Sequence, residues 1–250
     1  MRTSGVGLVM VIPPGGREET LFASRTAPSV LLADDWLFIS HGDRTGRPRL
    51  SKVVSGLGLA GALLAEAVLA GAVAIDSGTG VWPWQRLAGH PTGFAHRDDS
   101  NRVAAVVADQ IHHEPEVLPV RVWLEWYADQ QRAYRLIGER LAERGQVRVQ
   151  QRRRGVRYRP VDMSGAQWRV IRICRLIRDG KVTEPTDAVL IGLCAATGLA
   201  DWVGRAAFPV SCEQAWAVLQ SVGDLLPEPI WVLLAQVEIA VGAAVMAHRR

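Results

Sequence analysis

Apolar positions in this chain run in long helical stretches separated by short clusters of Gly, Pro and charged residues. The longest, Gly56 to Asp76 (GLGLAGALLAEAVLAGAVAID), governs the reading of the rest. Its apolar residues cover every side of a helical projection, which predicts a helix from Lys52 to Ala70 buried on nearly all faces. Gly58, Ala60, Gly61, Ala62 and Ala65 let neighbouring helices approach, while Leu59, Leu63, Leu64, Val68 and Leu69 fill volume. Gly71 ends the helix as a C-cap. The run has roughly the 20 apolar residues of a membrane span. Glu66 at its middle and the lack of a basic cluster at either flank weigh against that.

The remaining pattern predicts mostly helix. Ser29 is placed to cap a first helix through Leu31, Leu32, Trp36, Leu37 and Ile39, with Asp34 and Asp35 in its early turns where the dipole favours acid. Gly42 to Pro48 is a turn by composition. Ala72–Ile75 and Val81–Trp84 alternate as a short hairpin. Val103, Val106, Val107 and Ile111 mark an amphipathic helix stopped by Pro115, with His112 and His113 closing it. Trp123, Trp126 and Tyr127 set large rings against a core. A helix from about Asp129 to Arg144 carries Tyr134, Ile137 and Leu141 inward and stops at Gly145. Then Val147, Val149, Val156 and Tyr158 alternate with Arg148, Arg157 and Arg159, predicting a second hairpin with the cationic tip Gln151-Arg152-Arg153-Arg154-Gly155. Trp168 to Asp179 follows as a helix with arginine at every third position. Next come an apolar helix from Thr186 to Thr197, a capping box at Ser211-Cys212-Glu213-Gln214 and a final core helix from Ile230 to Ala247. Residues 1–27 mix Gly, Pro, Arg and Glu without period and read as a flexible tail before a domain at 28–250. Pro13-Pro14-Gly15-Gly16, without a small-residue cleavage pattern, speaks against a secretory leader.

One pattern competes. Gly56, Gly58 and Gly61 form G-x-G-x-x-G with Asp76 about 20 residues on, the fingerprint of an NAD(P)-binding oxidoreductase. That fingerprint needs a buried strand upstream, and Arg47-Pro48-Arg49-Leu50-Ser51-Lys52 is polar and broken by proline. Other catalytic signals are missing: there is no nucleophile elbow, phosphate loop or paired acid motif on one helix face, so the expectation is a non-enzyme without cofactor. His113-Glu114-Pro115-Glu116 lacks the second histidine of a zincin motif, so no metal site is expected.

Composition agrees with a globular chain: 250 residues, 48% hydrophobic and 22% charged. Cys174, Cys194 and Cys212 have no metal-binding spacing and are odd in number, which suggests free thiols and a reducing compartment. The net charge of +4 conceals its distribution. Between Arg144 and Arg178 stand eleven arginines and one acid, Asp162, leaving the rest of the chain net acidic. A local basic patch is suited to an anionic surface. Without a base-reading module, nucleic acid would be bound only nonspecifically.

The segments Ser29-Val30-Leu31-Leu32-Ala33-Asp34-Asp35-Trp36-Leu37-Phe38-Ile39, Asp43-Arg44-Thr45-Gly46, Gly58-Leu59-Ala60-Gly61-Ala62-Leu63-Leu64-Ala65-Glu66, Pro91-Thr92-Gly93 and Glu143-Arg144-Gly145 stand in an order that resembles the Golgi phosphoprotein 3-like family, here as a bacterial member. The likeness spans about Ser29 to Met246. It implies a mostly helical domain around a hydrophobic central helix. It also implies a non-catalytic peripheral membrane protein that binds phosphatidylinositol-type headgroups, with a hairpin involved in self-association and membrane contact. The family's Arg-x-x-Arg pair corresponds to Arg132 and Arg135, one residue nearer Gly145 than the family spacing. The family's pocket tryptophan and arginine correspond to Ser51 and Ala60, which departs from the family pattern. The expectation is an all-α domain with one or two small hairpins, cytoplasmic and peripherally associated with an anionic phospholipid membrane. Its lipid-binding residues would be Arg132, Arg135, Arg148, Arg152, Arg153, Arg154 and Arg157, and copies could meet through the hairpin at 146–161.

Overall fold

A helix that is apolar all round must be enclosed by other elements, and a computed structural model of the chain shows how this is done. It describes residues 31–76, 80–83, 102–153, 155–206 and 209–247. In chain order the elements are α1 (Leu32–Ser40), α2 (Lys52–Leu69), β1 (Val73–Ile75), β2 (Val81–Pro83), α3 (Arg102–His113), α4 (Val120–Ala128), α5 (Arg132–Glu143), β3 (Val147–Arg152), β4 (Gly155–Pro160), α6 (Met163–Asp179), α7 (Pro185–Thr197), α8 (Leu199–Ala206), α9 (Cys212–Ser221) and α10 (Glu228–Ala247). The strands form two separate antiparallel hairpins, so the fold is mostly α. α2 is the hub and touches α1, α3, α4, α5, α7 and α10.

Small residues on α2 set these approaches. Gly56, Gly58 and Gly61 lie inside the helix and face Ala128, Trp36 and Val237. They belong to no strand–turn–helix, which removes the structural basis of the dinucleotide reading. A β-carbon on Gly58 would stand 2.6 Å from the Trp36 ring, so α1 crosses α2 where only glycine fits. α2 and α10 are both long and apolar enough to cross a membrane, but most of α2 is buried within the protein and only about a third of α10 is.

Element ends differ from the expectation at four places. Ser29 lies outside the described residues, and α1 starts after Leu31, which has no side chain to cap it. The helix expected from Asp129 begins at Arg132, because Gln130 and Gln131 both take left-handed backbone (φ 49° and 58°) and separate α4 from α5. α6 begins at Met163, five residues before the expected start at Trp168. α8 was not anticipated; after the left-handed Gly198 it leaves α7 at 88°. The capping box at Ser211 is present, and all three cysteines are free. The expected tail at 1–27 lies outside the described residues.

The acids of α1 are not dipole partners at a surface; they are buried anchors. Asp34 accepts from Arg140 on α5 at 2.8 Å and from Arg144 at 3.2 Å. Asp35 points to α6 and accepts from Arg169 at 2.6 Å and Arg172 at 3.0 Å. Arg172 also pairs with Asp187 of α7 at 2.8 Å. Glu66 of α2 pairs with Arg140 at 2.5 Å and accepts the Ala33 backbone N–H at 3.0 Å. It thereby supplies the missing cap of α1 from another helix. Burial, only partly offset by the arginines, raises Asp34 to about 6. His41, at the end of α1, is stacked on Tyr134 with ring centroids 5.0 Å apart, and burial lowers its pKa to about 4.

Two outcomes follow. Replacing Arg140 by Met strands Asp34 and Glu66 without their shared partner and should cost about 3–5 kcal/mol in urea unfolding. The triple variant Asp34→Asn, Glu66→Gln, Arg140→Met should recover part of that loss; a triple variant no more stable than Arg140→Met would refute the account. Second, unfolded His41 takes up a proton below its ordinary pKa of 6.5, whereas the folded protein does not until about pH 4. Its stabilising contribution is therefore complete above pH 6.5 and drains as the pH falls toward 4. Asp34 acts oppositely: the folded form takes up its proton first, so stability from this group rises as the pH falls from 6 toward 3.8. His41→Phe should leave the Asp34 trend exposed, so its urea midpoint should gain on the parent's between pH 6.5 and 4. Parallel pH curves would contradict this.

Candidate functional site

Alternation of valine or tyrosine with arginine makes the second hairpin two-faced. Val147 pairs with Pro160, Val149 with Tyr158 and Gln151 with Val156; between them Arg148 pairs with Arg159, Gln150 with Arg157 and Arg152 with Gly155. Residues opposite one another share a face, so the expected separation of apolar and cationic sides is observed. The strands run further than expected, to Arg152 and from Gly155, with Arg153 in the turn. Arg154 itself lies outside the described residues.

The inner face is docked by aromatic contacts. Tyr158 is buried and meets the Tyr134 ring edge-on at 5.1 Å, and its backbone N–H donates to the Tyr134 hydroxyl at 3.1 Å. Gly138 leaves the space: a β-carbon there would come within 2.1 Å of the Tyr158 ring. The outer face is cationic. Arg148 stands directly across from Arg159, a like-charged pair that costs stability. Arg152 donates to Gln150 at 3.0 Å. Among the described residues, none of Arg148, Arg153, Arg157 and Arg159 has an acidic partner within ion-pair distance. Arg159 is not among the expected site residues, yet the Arg157-x-Arg159 alternation puts it on this face.

The two helical arginines are used differently. Arg132 folds back over the Trp126 ring, 4.5 Å from its centroid. It donates to the Trp126 carbonyl at 2.8 Å and to Asp129 at 3.0 Å, closing the end of α4 and fastening the break before α5. Arg135 is exposed one turn on, close enough to Tyr158 to affect its hydroxyl. The broad cationic shelf expected over 144–178 is not continuous. Arg144, Arg169 and Arg172 turn toward Asp34, Asp35 and Asp187, Arg178 pairs with Asp179 at 2.7 Å, and Arg175 lies over Trp168 at 5.4 Å. Acids distant in sequence are adjacent in space, so of the described arginines over 144–178 those without an acidic partner are Arg175 and the hairpin's Arg148, Arg152, Arg153, Arg157 and Arg159.

Ser51 and Ala60, the two positions that depart from the expected pattern, serve the fold. Ser51 caps α2, accepting from the Val54 N–H at 3.3 Å. Ala60 is fully buried in the core, so its side chain cannot line a surface pocket. Gln131 and Tyr134, each one residue before the expected Arg132 and Arg135, line with His41, Lys52, Ser55 and Tyr127 a cavity of about 10 Å³. Such a space holds one water at most, and the His41 imidazole facing it is neutral at physiological pH. Among the described residues no group of three or more His, Cys, Asp or Glu is placed to hold a metal ion.

A comparison with the curated proteins gives no match. The family description Golgi phosphoprotein 3 (GPP34) matches residues 32–232, a span that runs from the first turn of α1 into α10 and takes in the hub, the buried ion pairs and the hairpin; the chain belongs to the Golgi phosphoprotein 3 (GPP34) family.

Proposed function

We infer that this protein is a cytoplasmic, peripheral binder of anionic phospholipid surfaces and that it carries out no reaction of its own. The supporting observation is the outer face of the β3–β4 hairpin. Arg148, Arg152, Arg157 and Arg159 share it, Arg153 stands at its tip, and the chain offers no acid to neutralise the face among the described residues. Mutual repulsion is a cost that a purely structural hairpin has no reason to bear, and lipid phosphate removes it. Arginine forks match phosphate oxygens, and each basic residue near an anionic bilayer contributes about 1 kcal/mol.

The closed cavity at Gln131 and Tyr134 favours a general preference for anionic lipid over recognition of a phosphorylated inositol ring. Arg135 extends the face along α5, and Arg154 stays in the proposed set as the neighbour of Arg153 in sequence. Arg132 contributes less, being held by Trp126 and Asp129. Self-association through residues 146–161 remains part of this reading, since Val149 and Val161 are about half exposed.

Flotation with phosphatidylserine vesicles should recover far more of the protein at low salt than flotation with neutral phosphatidylcholine vesicles. Four arginine losses at about 1 kcal/mol each predict that the quadruple variant Arg148→Ser, Arg152→Ser, Arg153→Ser, Arg157→Ser binds on the order of 10²–10³-fold more weakly. Its melting temperature should stay within a few degrees of the parent's, because the apolar face is untouched. Unchanged vesicle binding would remove the hairpin from the site. Tighter binding to duplex DNA than to vesicles at the same salt would reassign the face to nucleic acid.

A further inference from the structure

The outward side of α10 is unusually apolar for a surface. Ile239 is 52% exposed and Met246 61% exposed, and with Gly242 and Ala243 they form one row along the helix, at spacings of three, four and seven residues. Glu238 is the only charged residue in α10 after its first turn. Ala243 also forms part of the wall of a groove of about 510 Å³, whose opposite side carries Val53, 46% exposed, with Lys52 and Arg121 at the rim.

This row lies beside the proposed lipid-binding face. Gln131 lines the same groove, and its side-chain oxygen is 3.9 Å from where a β-carbon on Gly155, at the hairpin turn, would stand. The succession is therefore cationic hairpin tip, Gln131, groove, apolar helix row. In sequence α10 is followed by His248-Arg249-Arg250, a basic end on an apolar helix.

The geometry points to the exposed face of α10, with Val53 across the groove, as a hydrophobic wedge that enters the acyl boundary of an anionic bilayer while the hairpin arginines hold the phosphates above it. This inference rests on the lipid-binding reading and adds a second, salt-resistant component to it. An apolar helix face flanked by cations is the combination that interfacial membrane binding uses: the charges bring the surface close and the apolar side chains retain it. A second copy of the chain would satisfy the apolar row, but not the unneutralised arginines next to it. The bilayer satisfies both.

The test separates the two components by salt, using vesicles of phosphatidylcholine and phosphatidylserine. At about 0.5 M salt, exposed charges are screened over a few ångströms, so residual flotation reports apolar insertion. The parent should retain measurable binding there, and Ile239→Gln with Met246→Gln should reduce it about tenfold or more while leaving charge and melting temperature unchanged. At low salt the double variant should still float, since the arginines remain. Complete release of the parent by salt would overturn the wedge and leave the electrostatic reading standing. No binding at low salt would overturn both. A parent dimer in size-exclusion chromatography that the double variant dissolves would assign the row to a second copy and likewise overturn the proposal. As an independent reading, an environment-sensitive fluorophore on Met246→Cys, in a Cys212→Ser background, should shift to the blue on adding vesicles; an unshifted probe on bound protein would refute insertion.

Discussion

The fold depends on a carboxylate placed inside its most apolar helix. Glu66 would be costly to bury alone, but it meets Arg140 from α5 and the backbone of Ala33 at the start of α1. Arg140 in turn holds Asp34. One cation and two acids thus join three helices that are otherwise packed by featureless aliphatic contact. Such contact tolerates sliding, whereas directional hydrogen bonds do not. The cluster selects one arrangement of α1, α2 and α5, and the surface that α5 offers the hairpin follows from it.

The same logic governs where positive charge is left over. The chain spends some arginines on buried acids and keeps others outward. The choice is made by which helix face each occupies: Arg169 and Arg172 lie on the side of α6 that meets α1 and α7, while alternate residues of a strand cannot all turn inward. A hairpin with one face docked by Tyr158 must present its other residues outward, and four of these are arginine. The cationic face is in this sense a by-product of docking, fixed by Gly138 and Tyr134 beneath it.

These relations show what could be read from residues alone. Helix and hairpin positions were legible because apolar period and Gly or Pro breaks are local properties; the β3–β4 register followed from the alternation of Val147, Val149, Val156 and Tyr158 with arginine. The break at Gln130 and Gln131 was not legible, since glutamine carries no preference for left-handed backbone and the kink is fastened by Arg132 on Trp126. Nor could net charge by segment anticipate that Asp34, Asp35 and Asp187 would neutralise arginines more than a dozen residues away; only the three-dimensional neighbourhood reveals it. The family likeness located α2 and the hairpin correctly, but the departures at Ser51 and Ala60 acquired meaning only once Ser51 proved to cap α2 and Ala60 proved to be core.

The adjacency of Asp34 and Asp35 has a further consequence. Successive residues on a helix differ by about 100° in direction, and each of these acids faces a pair of arginines. Screwing α1 by one residue would leave an acid at only one of the two pairs and bring Ala33 or Trp36 to the other, so the charges themselves oppose the shift. The indole of Trp36 opposes it a second time, because it lies where a β-carbon on Gly58 would stand 2.6 Å from its ring. Two independent detents thus fix one register, and evolutionary drift at Gly58 would blunt the steric one while the ionic one still held.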